Sequence, residues 1–169
     1  AELLGQLMKN YEKSIAVSGT HGKTTTTSML TEILMDEKKN PTISVGGMLD
    51  SIGGNIRVGG PELFVTEACE YTNSFLSFFP NMEIILNIEA DHLDFFKDIE
   101  DIRHSFRLFA EKLDEKGLLI INRDIKNYEE ISGGLPCRVV TFGHSSESDY
   151  SAADSTYDTF ARPTFNLME

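Results

Sequence analysis

Residues 14–30 read SIAVSGTHGKTTTTSML, and this stretch decides the fold. Three apolar residues, Ile15 to Val17, lead into the segment Gly19 to Thr25, and apolar residues then recur at helical spacing from Met29 to Leu34. This order predicts a strand, a glycine loop and a helix. Glycines let a backbone approach a ligand closely, and a helix N-terminus attracts anions through its unpaired N–H groups and its dipole. We therefore predict a phosphate-binding loop.

Two side chains of this loop carry the expected chemistry. Lys23 would reach the terminal phosphates of a nucleotide, and Thr24 would place its hydroxyl on a bridging magnesium ion. Only two residues separate Gly19 from Gly22, whereas the common GxxxxGK[ST] motif has four. The alternative is an ordinary turn between strand and helix with a chance Gly-Lys-Thr.

Composition limits the classes of protein and partner. The chain has 169 residues and a formal net charge of −12, which suits one domain with an acidic surface and argues against nucleic acid as a partner. Two cysteines, Cys69 and Cys137, do not make a disulfide framework, so we expect a reducing, cytoplasmic location. We find no apolar run long enough for a membrane span and no signal peptide. Because the chain starts with Ala1, we expect a processed or truncated piece.

Apolar runs alternate with helical patterns along the chain. This alternation predicts a doubly wound α/β fold with a mostly parallel sheet, whose ligands bind beyond the carboxyl ends of the strands. The predicted strands are 14–18, 42–46, 62–67, 83–88, 117–121 and 137–142. The predicted helices are 23–38, 98–114 and 124–132. In the second helix, Ile99, Ile102, Phe106, Phe109 and Leu113 follow the spacing of a buried face, and Asp98 is a plausible N-cap.

Two segments lack this alternation. Residues 46–60 are rich in glycine and predict a loop, a candidate for closing over a ligand. Residues 143–159 predict a surface connection, and 160–167 predict short peripheral strands. We expect one domain at 1–143, with 144–169 as its peripheral continuation, cut before the domain ends.

Polar side chains follow two of the predicted strands. Glu67 and Glu70 follow the apolar run Leu63 to Val65, at a strand end where carboxylates are well placed to hold magnesium opposite the phosphate loop; the alternative is a solvated acidic turn. The segment Asn87 to His92 follows the next strand. Imidazole is an uncommon magnesium ligand, so His92 indicates either an orienting role or a metal that prefers nitrogen.

Other candidates carry less information. Asn122 to Asp124 would face a base or ribose, or Asp124 would cap the next helix. We expect Cys69 to be a small packed thiol and not a nucleophile. We expect His104 and His144 at the surface. Phe75, Phe78 and Phe79 are expected in the core.

Three ordered motifs together resemble the Mur ligase family, the ATP-dependent amide-forming enzymes of peptidoglycan synthesis. The short loop G-T-x-G-K-[ST]-[ST] of that family is matched by Gly19 to Thr25. The form GTHGKTTTT, the segment EACEYTNSFL at 67–76 and NIEADHLD at 87–94 are similar to the branch that joins L-alanine to UDP-N-acetylmuramate. That branch has EADESDxSFL, so Cys69 stands where the pattern has Asp.

The resemblance implies a role for each matched residue. Lys23, Glu70 and His92 would be catalytic, and Thr24, Glu70 and His92 would bind metal, namely Mg²⁺ and a second divalent ion for which Mn²⁺ is a candidate. Contacts to ATP would come from Gly19, Thr20, His21, Gly22, Lys23, Thr24, Thr25 and Asn87. Sister ligases use a carbamylated lysine in the following helix; the position here is Arg107, which could supply positive charge directly.

The implied chemistry is carboxylate activation. The muramate carboxylate attacks the γ-phosphate of ATP, and the amine of L-alanine then attacks the acyl phosphate and releases phosphate. Family members also have an N-terminal UDP-binding domain and a C-terminal domain that binds the amino acid. We therefore expect the isolated chain to bind nucleotide weakly or not at all, and not to ligate.

Three other functions remain open. The murein tripeptide ligase of cell-wall recycling has a similar loop, and Glu70-Tyr71 slightly resembles it; folylpolyglutamate synthetases share the short loop but differ after the lysine. The alternative from another class is a nucleotide-binding switch module without ligase activity, which gives no reason for Glu70 and His92 to follow strands.

Overall fold

One mixed sheet of nine strands runs through the computed structural model, which describes all residues from 1 to 169. The strands are β1 (Lys13–Ser18), β2 (Thr42–Leu49), β3 (Gly54–Arg57), β4 (Leu63–Glu67), β5 (Met82–Ile85), β6 (Leu118–Asn122), β7 (Arg138–Gly143), β8 (Tyr150–Tyr157) and β9 (Pro163–Met168). The α-helices are α1 (Glu2–Met8), α2 (Lys23–Asp36), α3 (Ile99–Ala110) and α4 (Glu129–Ser132). Two 3₁₀ helices cover Asp50–Ile52 and Tyr71–Ser77.

The order of the strands places β1 near the middle of the sheet. The order is β3-β2-β4-β1-β5-β6-β7-β8-β9, and all neighbours are parallel except the two antiparallel edge pairs, β2/β3 and β8/β9. After β1 the chain builds one side of the sheet through β4 and then crosses to the other side with β5. The strand order therefore reverses beside β1, and the carboxyl ends of β4, β1 and β5 lie at the position where doubly wound sheets bind ligands. The predicted fold class is confirmed.

Apolar residues of the central strands face both sides of the sheet. On one side, Ala16, Ile85 and Leu119 belong to a large core with α3. On the other side, Ile15 and Val65 belong to a smaller core, against which α2 packs. Burial on both faces explains why these strands read as continuous apolar runs and not as alternating ones.

Helix α3 follows its sequence pattern closely. The Asp98 side chain accepts the N–H of Asp101 at 3.0 Å and so caps the helix, as predicted. Phe106 and Phe109 are fully buried, and the ring of Phe75 packs against both. Phe78 is also buried, but Phe79 is 39% exposed, so the expectation that all three phenylalanines are core is wrong for Phe79. The Phe79 ring instead lies under the ammonium groups of two lysines at the surface.

Helix α2 buries hydroxyls where the sequence suggested a broader apolar face. Thr27 and Thr31 are fully buried, and the Thr31 hydroxyl donates to the Thr27 carbonyl at 2.8 Å. Met29 and Ile33 are exposed by 62% and 59%. The backbone satisfies the Thr31 hydroxyl, whereas the buried Thr27 hydroxyl has no hydrogen-bond partner.

Several predicted elements need correction. Residues 46–60 are mostly a β-hairpin of β2 and β3 and not a loop, because the glycines tolerate a shift in the antiparallel register between the pairs Ser44–Ile56 and Leu49–Gly54. The end of the chain forms two full strands, β8 and β9, of which β8 continues the main sheet. The predicted helix 124–132 is reduced to α4 after a series of turns, and α1 was missed.

No helix in the structure combines the length and the apolar character that crossing a membrane requires.

Candidate nucleotide-binding site

The loop between β1 and α2 depends on two glycines. Gly19 has φ = +138° and Gly22 has φ = +83°, values that other residues rarely adopt. A Cβ on Gly19 would lie 3.0 Å from the Leu86 side chain and 3.1 Å from the Asn87 nitrogen. Gly22 is the N-cap of α2, and no side chain caps this helix end. The loop thus packs tightly against the end of β5 and presents an uncapped helix N-terminus, which attracts anions.

Lys23 folds back over this loop and pairs with a carboxylate. Its Nζ donates to the carbonyls of Gly19 and Thr20 and lies 2.9 Å and 3.3 Å from the two carboxylate oxygens of Glu70. The Glu70 side chain is only 2% exposed and that of Lys23 is 16% exposed. A charge-assisted pair with so little water is held firmly and keeps a cation at the helix N-terminus.

A second carboxylate meets the next residue of the loop. The Thr24 hydroxyl donates to Glu67 Oε2 at 3.0 Å, and the Gly46 N–H donates to Glu67 Oε1 at 2.6 Å. A Cβ on Gly46 would lie 3.0 Å from Glu67 Oε2, so the absence of a side chain there makes room for the carboxylate. The sequence offered both Glu67 and Glu70 as magnesium ligands, and the family resemblance implied Glu70; in the structure it is Glu67 that contacts Thr24.

His92 approaches the same site from the loop after β5. Its Nε2 lies 3.9 Å from Glu70 Oε1, and its backbone has φ = +52°. The Tyr71 ring packs on the imidazole with 4.6 Å between centroids, and the Tyr71 hydroxyl donates to Asp94 Oδ2 at 2.8 Å. That hydrogen bond to a carboxylate raises the pKa of the Tyr71 phenol. Tyr71 and Asp94 were not singled out from the sequence, although both lie inside the matched motifs.

Asn87 supports the loop between β1 and α2 through hydrogen bonds. Its Oδ1 accepts the His21 N–H at 2.7 Å, its Nδ2 donates to the His21 carbonyl at 2.9 Å, and its own carbonyl accepts the Thr20 N–H at 3.1 Å. The Thr20 hydroxyl in turn accepts the Glu89 N–H at 2.9 Å. The side-chain amide of Asn87 is therefore occupied by the loop itself. The expected contact of Asn87 with ATP remains a prediction.

The side chains around Lys23 include four potential metal ligands. These are the hydroxyl of Thr24, the carboxylates of Glu67 and Glu70, and the imidazole of His92. No group of three or more His, Cys, Asp or Glu side chains is arranged to hold a metal ion by protein ligands alone. Magnesium normally keeps several waters and binds through one or two carboxylates together with substrate phosphates. The residues present fit a magnesium ion that binds with a nucleotide, and do not fit a metal site made of protein alone.

The polar residues after β6 lie beside a separate cavity. Asn122 donates from Nδ2 to the Leu86 carbonyl at 3.0 Å, which ties the ends of β5 and β6 together. Asp124 does not cap α4; its carboxylate contacts the His144 ring at 2.6 Å and accepts the His144 N–H. Both line a cavity of about 280 Å³ whose apolar wall includes Phe142 and Phe165.

Two further expectations fail. Cys69 is exposed and not packed, because the chain turns there and points Ala68 and Glu70 inward. The polar contacts of the Arg107 side chain are with Glu111, with the Ile131 carbonyl and with the Gly133 carbonyl, and none is with the residues around Lys23. Arg107 therefore joins α3 to α4 and brings no charge to the site. His104 and His144 are exposed, as predicted.

The fold and the site define an α/β domain with a glycine loop at the carboxyl edge of a mostly parallel sheet. The family model for the Mur ligase middle domain matches residues 17–168. The chain therefore belongs to the Mur ligase family. It is 62% identical over 169 residues to a protein of Lachnospira eligens named UDP-N-acetylmuramate–L-alanine ligase, and 60% identical over 168 residues to the protein of that name from Agathobacter rectalis.

Each of these alignments covers 99% of this chain but 37% of the relative, so the chain spans little more than a third of the proteins it matches. Among solved structures, UDP-N-acetylmuramate–alanine ligase from Thermotoga maritima is similar with a TM-score of 0.78 and 29% identity, over 97% of this chain and 36% of the other. The UDP-N-acetylmuramate:L-alanyl-γ-D-glutamyl-meso-diaminopimelate ligase from Neisseria meningitides has a TM-score of 0.83 at 24% identity, over 99% of this chain and 55% of the other, which shows the shared fold.

Proposed function

We propose that this chain is the central, ATP-binding domain of a ligase that joins L-alanine to UDP-N-acetylmuramate in peptidoglycan synthesis. The observation that carries the proposal is the meeting of three strand ends around Lys23, with Glu70 from β4 at 2.9 Å and His92 following β5. The names of the relatives at 62% and 60% identity support the choice of substrates.

In this proposal the loop binds the phosphates of ATP. The N–H groups at the start of α2 and the Lys23 ammonium attract the β- and γ-phosphates, and Lys23 exchanges its contacts with Glu70 for phosphate oxygens. Thr24, Glu67, Glu70 and His92 would hold Mg²⁺, with a second divalent ion such as Mn²⁺ near His92. The metal, when bound, neutralises charge on the transferred phosphoryl group.

The reaction then needs placement more than covalent catalysis. A muramate carboxylate oxygen forms a bond to the γ-phosphorus while the bond to ADP breaks. The L-alanine amine next forms a bond to the acyl carbon and loses a proton, and phosphate leaves. Lys23 stabilises the negative charge that develops on the phosphoryl oxygens, and Asn87 holds the loop that carries Lys23.

The cavity beside Asn122 and Asp124 is the place that we propose for the adenine or ribose. It lies at the carboxyl ends of β6 and β7, and Asn122 is linked to the end of β5, against which the Gly19 loop packs. Its apolar wall would cover the face of a base, and its amide and carboxylate would bind polar edges.

We also propose that residues 1–143 form the body of this domain, that 144–169 continue it, and that further domains bind UDP-N-acetylmuramate and L-alanine. This proposal is supported by the greater length of the relatives, of which this chain covers 37%. The net charge of −12 disfavours nucleic acid as a partner. A cytoplasmic location without a membrane partner belongs to the same proposal, as ATP is supplied there.

The test is a substrate panel with the full-length protein that carries this chain, in parent and Lys23→Ala forms. We expect ATP-dependent joining of L-alanine to UDP-N-acetylmuramate, lowered at least ~100-fold by Lys23→Ala, because a positioned charge contributes several kcal/mol to such transfers. Activity within about tenfold of the parent would contradict the role of Lys23.

The same panel separates the other functions. Turnover of a tripeptide but not of L-alanine would identify a murein tripeptide ligase, and nucleotide hydrolysis that ignores muramate would favour a switch module. The 169-residue chain alone is expected to show no amide formation. Detectable ligation by it would show that the site is complete without further domains.

A further inference from the structure

Tyr71 connects the two loops that supply Glu70 and His92. It follows Glu70 directly, and its ring lies 4.6 Å from the His92 ring at an interplanar angle of 35°. Its hydroxyl donates to Asp94 Oδ2 at 2.8 Å, two residues beyond His92. The Phe95 ring packs edge-on against Tyr71 at 6.2 Å. One side chain therefore contacts the loop after β5 at three points.

His92 has little else to hold its ring. Its Nε2 lies 3.9 Å from Glu70 Oε1 and its Nδ1 lies 3.9 Å from Asp91 Oδ1, so neither ring nitrogen makes a hydrogen bond. The backbone at His92 has φ = +52°, an uncommon value for a residue other than glycine. The Asp91 carboxylate accepts the His92 N–H at 2.7 Å, which fixes the turn but gives the imidazole no hydrogen bond.

The backbone after Tyr71 is also held in an unusual form. Thr72 and Asn73 both have positive φ, 54° and 57°, inside the short 3₁₀ segment. The Ser74 hydroxyl donates to the Tyr71 carbonyl at 2.9 Å and contacts the Thr72 hydroxyl at 3.1 Å. Two consecutive left-handed residues direct the chain so that Glu70 points inward while Tyr71, 38% exposed, covers His92.

We propose that Tyr71 is a positioning residue that holds the His92 imidazole against Glu70 by ring packing and by its hydrogen bond to Asp94. This rests on the proposed function, in which His92 serves the phosphate site. The ring sets the plane of the imidazole, and the hydroxyl keeps the loop after β5 from moving away. Tyr71 acts through His92 and touches no substrate.

The first test uses the 169-residue chain without metal or nucleotide. Histidine ring resonances are recorded by NMR for the parent, Tyr71→Phe and Tyr71→Ser. In the parent, we expect the tyrosine ring to displace the His92 signals from those of His21 and His144, whose side chains are 64% and 86% exposed. We expect Tyr71→Ser to move the His92 signals to the exposed positions, and Tyr71→Phe to keep most of the displacement.

Tyr11→Phe is the matched control. Tyr11 also donates its hydroxyl, to Thr42 at 3.0 Å, and packs on another ring, that of Phe64 at 5.1 Å, but it lies outside the site. It should leave the His92 signals unchanged. His92 signals in Tyr71→Ser that coincide with those of the folded parent would overturn the proposal.

The second test measures kinetics in the full-length protein. We expect Tyr71→Ser to lower kcat about tenfold or more, because small misplacements of reacting groups are costly, while KM for ATP changes little since the Gly19 loop is intact. Tyr71→Phe should recover most of kcat. An equal kcat in parent and Tyr71→Ser would overturn the role. A parent without ligase activity would overturn the proposed function, whereas the metal-free NMR result would still decide whether Tyr71 positions His92.

Discussion

Two buried glutamates of this molecule behave in opposite ways. The side chain of Glu70 is 2% exposed and meets Lys23 at 2.9 Å at the carboxyl edge of the sheet. Glu83 is fully buried in the middle of β5, and neither of its carboxylate oxygens has a hydrogen-bond partner. Burial raises the pKa of Glu83 well above its ordinary value of 4.5, and the nearby Lys112 ammonium offsets this only in part. Glu83 therefore holds its proton to higher pH than a free carboxyl group, whereas Glu70 has a cation beside it.

The difference follows from where each residue lies on the sheet. The neighbours of Glu83 across the strands are Ala16 on β1 and Leu119 on β6, which offer no charge and no donor from a side chain. Glu70 lies beyond the end of β4, where loops from neighbouring strands meet and a helix begins. An ionic site can form at that edge because loops, unlike strands, bring charged side chains together without burying them alone.

Replacing Lys23 by Met should have the largest effect on stability, because it leaves Glu70 as an unpaired buried carboxylate like Glu83. We expect the free energy of unfolding to fall by about 3–5 kcal/mol at neutral pH. Urea denaturation of the 169-residue chain would measure this. Adding Glu70→Gln to Lys23→Met should restore part of the loss, and a double variant no more stable than Lys23→Met would show that the pair is not the cause.

Changing Asn87 to Asp should weaken the site without touching the ion pair. Aspartate keeps the acceptor for the His21 N–H but loses the donor to the His21 carbonyl, so the loop loosens. We expect nucleotide affinity in the full-length protein to fall about tenfold, in line with the cost of breaking a built-in hydrogen bond. Calorimetry would measure it, with Asn127→Asp as the control for the added charge. Equal nucleotide affinities in the two variants would show that the hydrogen bonds between Asn87 and His21 do not support the loop.

Glu83→Gln tests the other buried glutamate, through the way in which the free energy of unfolding depends on pH. Because the folded state holds the Glu83 proton more tightly than the unfolded chain, the contribution of this proton is fully present below pH 4.5 and is lost as pH rises. The parent should therefore lose stability towards alkaline pH at this site, and the variant should not. We expect the variant to gain stability relative to the parent between pH 4 and pH 8.

Denaturation curves at several pH values would measure this gain. Glu62→Gln, a change at the exposed Glu62, serves as the control for the lost carboxylate. A stability difference between Glu83→Gln and the parent that does not vary with pH would show that folding does not raise the pKa of Glu83.

The smallest effect is expected at Cys69, which lies between Glu67 and Glu70 in the sequence but is exposed. Cys69→Ser should change the free energy of unfolding by less than about 0.5 kcal/mol. Cys137→Ser is the matched variant at a buried thiol, and it should cost more, about 1–3 kcal/mol, because a hydroxyl would be buried there. Equal losses for the two would show that Cys69 packs into the site.

Much of the sheet could be predicted because its strands are buried on both faces. Ile84 and Ile85, for example, face opposite sides of the sheet, and each needs an apolar side chain. Helix α3 could be predicted since its buried phenylalanines repeat at helical spacing next to an Asp cap. Fold class and the order of the central elements followed from these local requirements.

The secondary-structure predictions that were wrong concern segments in which the apolar pattern of the sequence is weak. The glycines of 46–60 carry no apolar periodicity, so the pairing of β2 with β3 left no trace in the sequence beyond turn residues. Helix α1 is short and exposed on much of its surface, and its anchors are the fully buried Met8 and a close approach of Gly5 to Ser77. Such contacts are made with distant parts of the chain, and a local reading cannot find them.

By itself, the sequence determined the strand, glycine loop and helix at 14–30 and the groups that would serve it, because each depends on neighbouring residues. Only the tertiary structure decided which group meets which. The strand order β4-β1-β5 pairs Lys23 with Glu70, 47 positions away, directs Glu67 to Thr24 and lays Tyr71 on His92. The physical reason is that parallel strands bring their carboxyl ends to one edge, and their order, which the sequence does not state, sets the neighbours there.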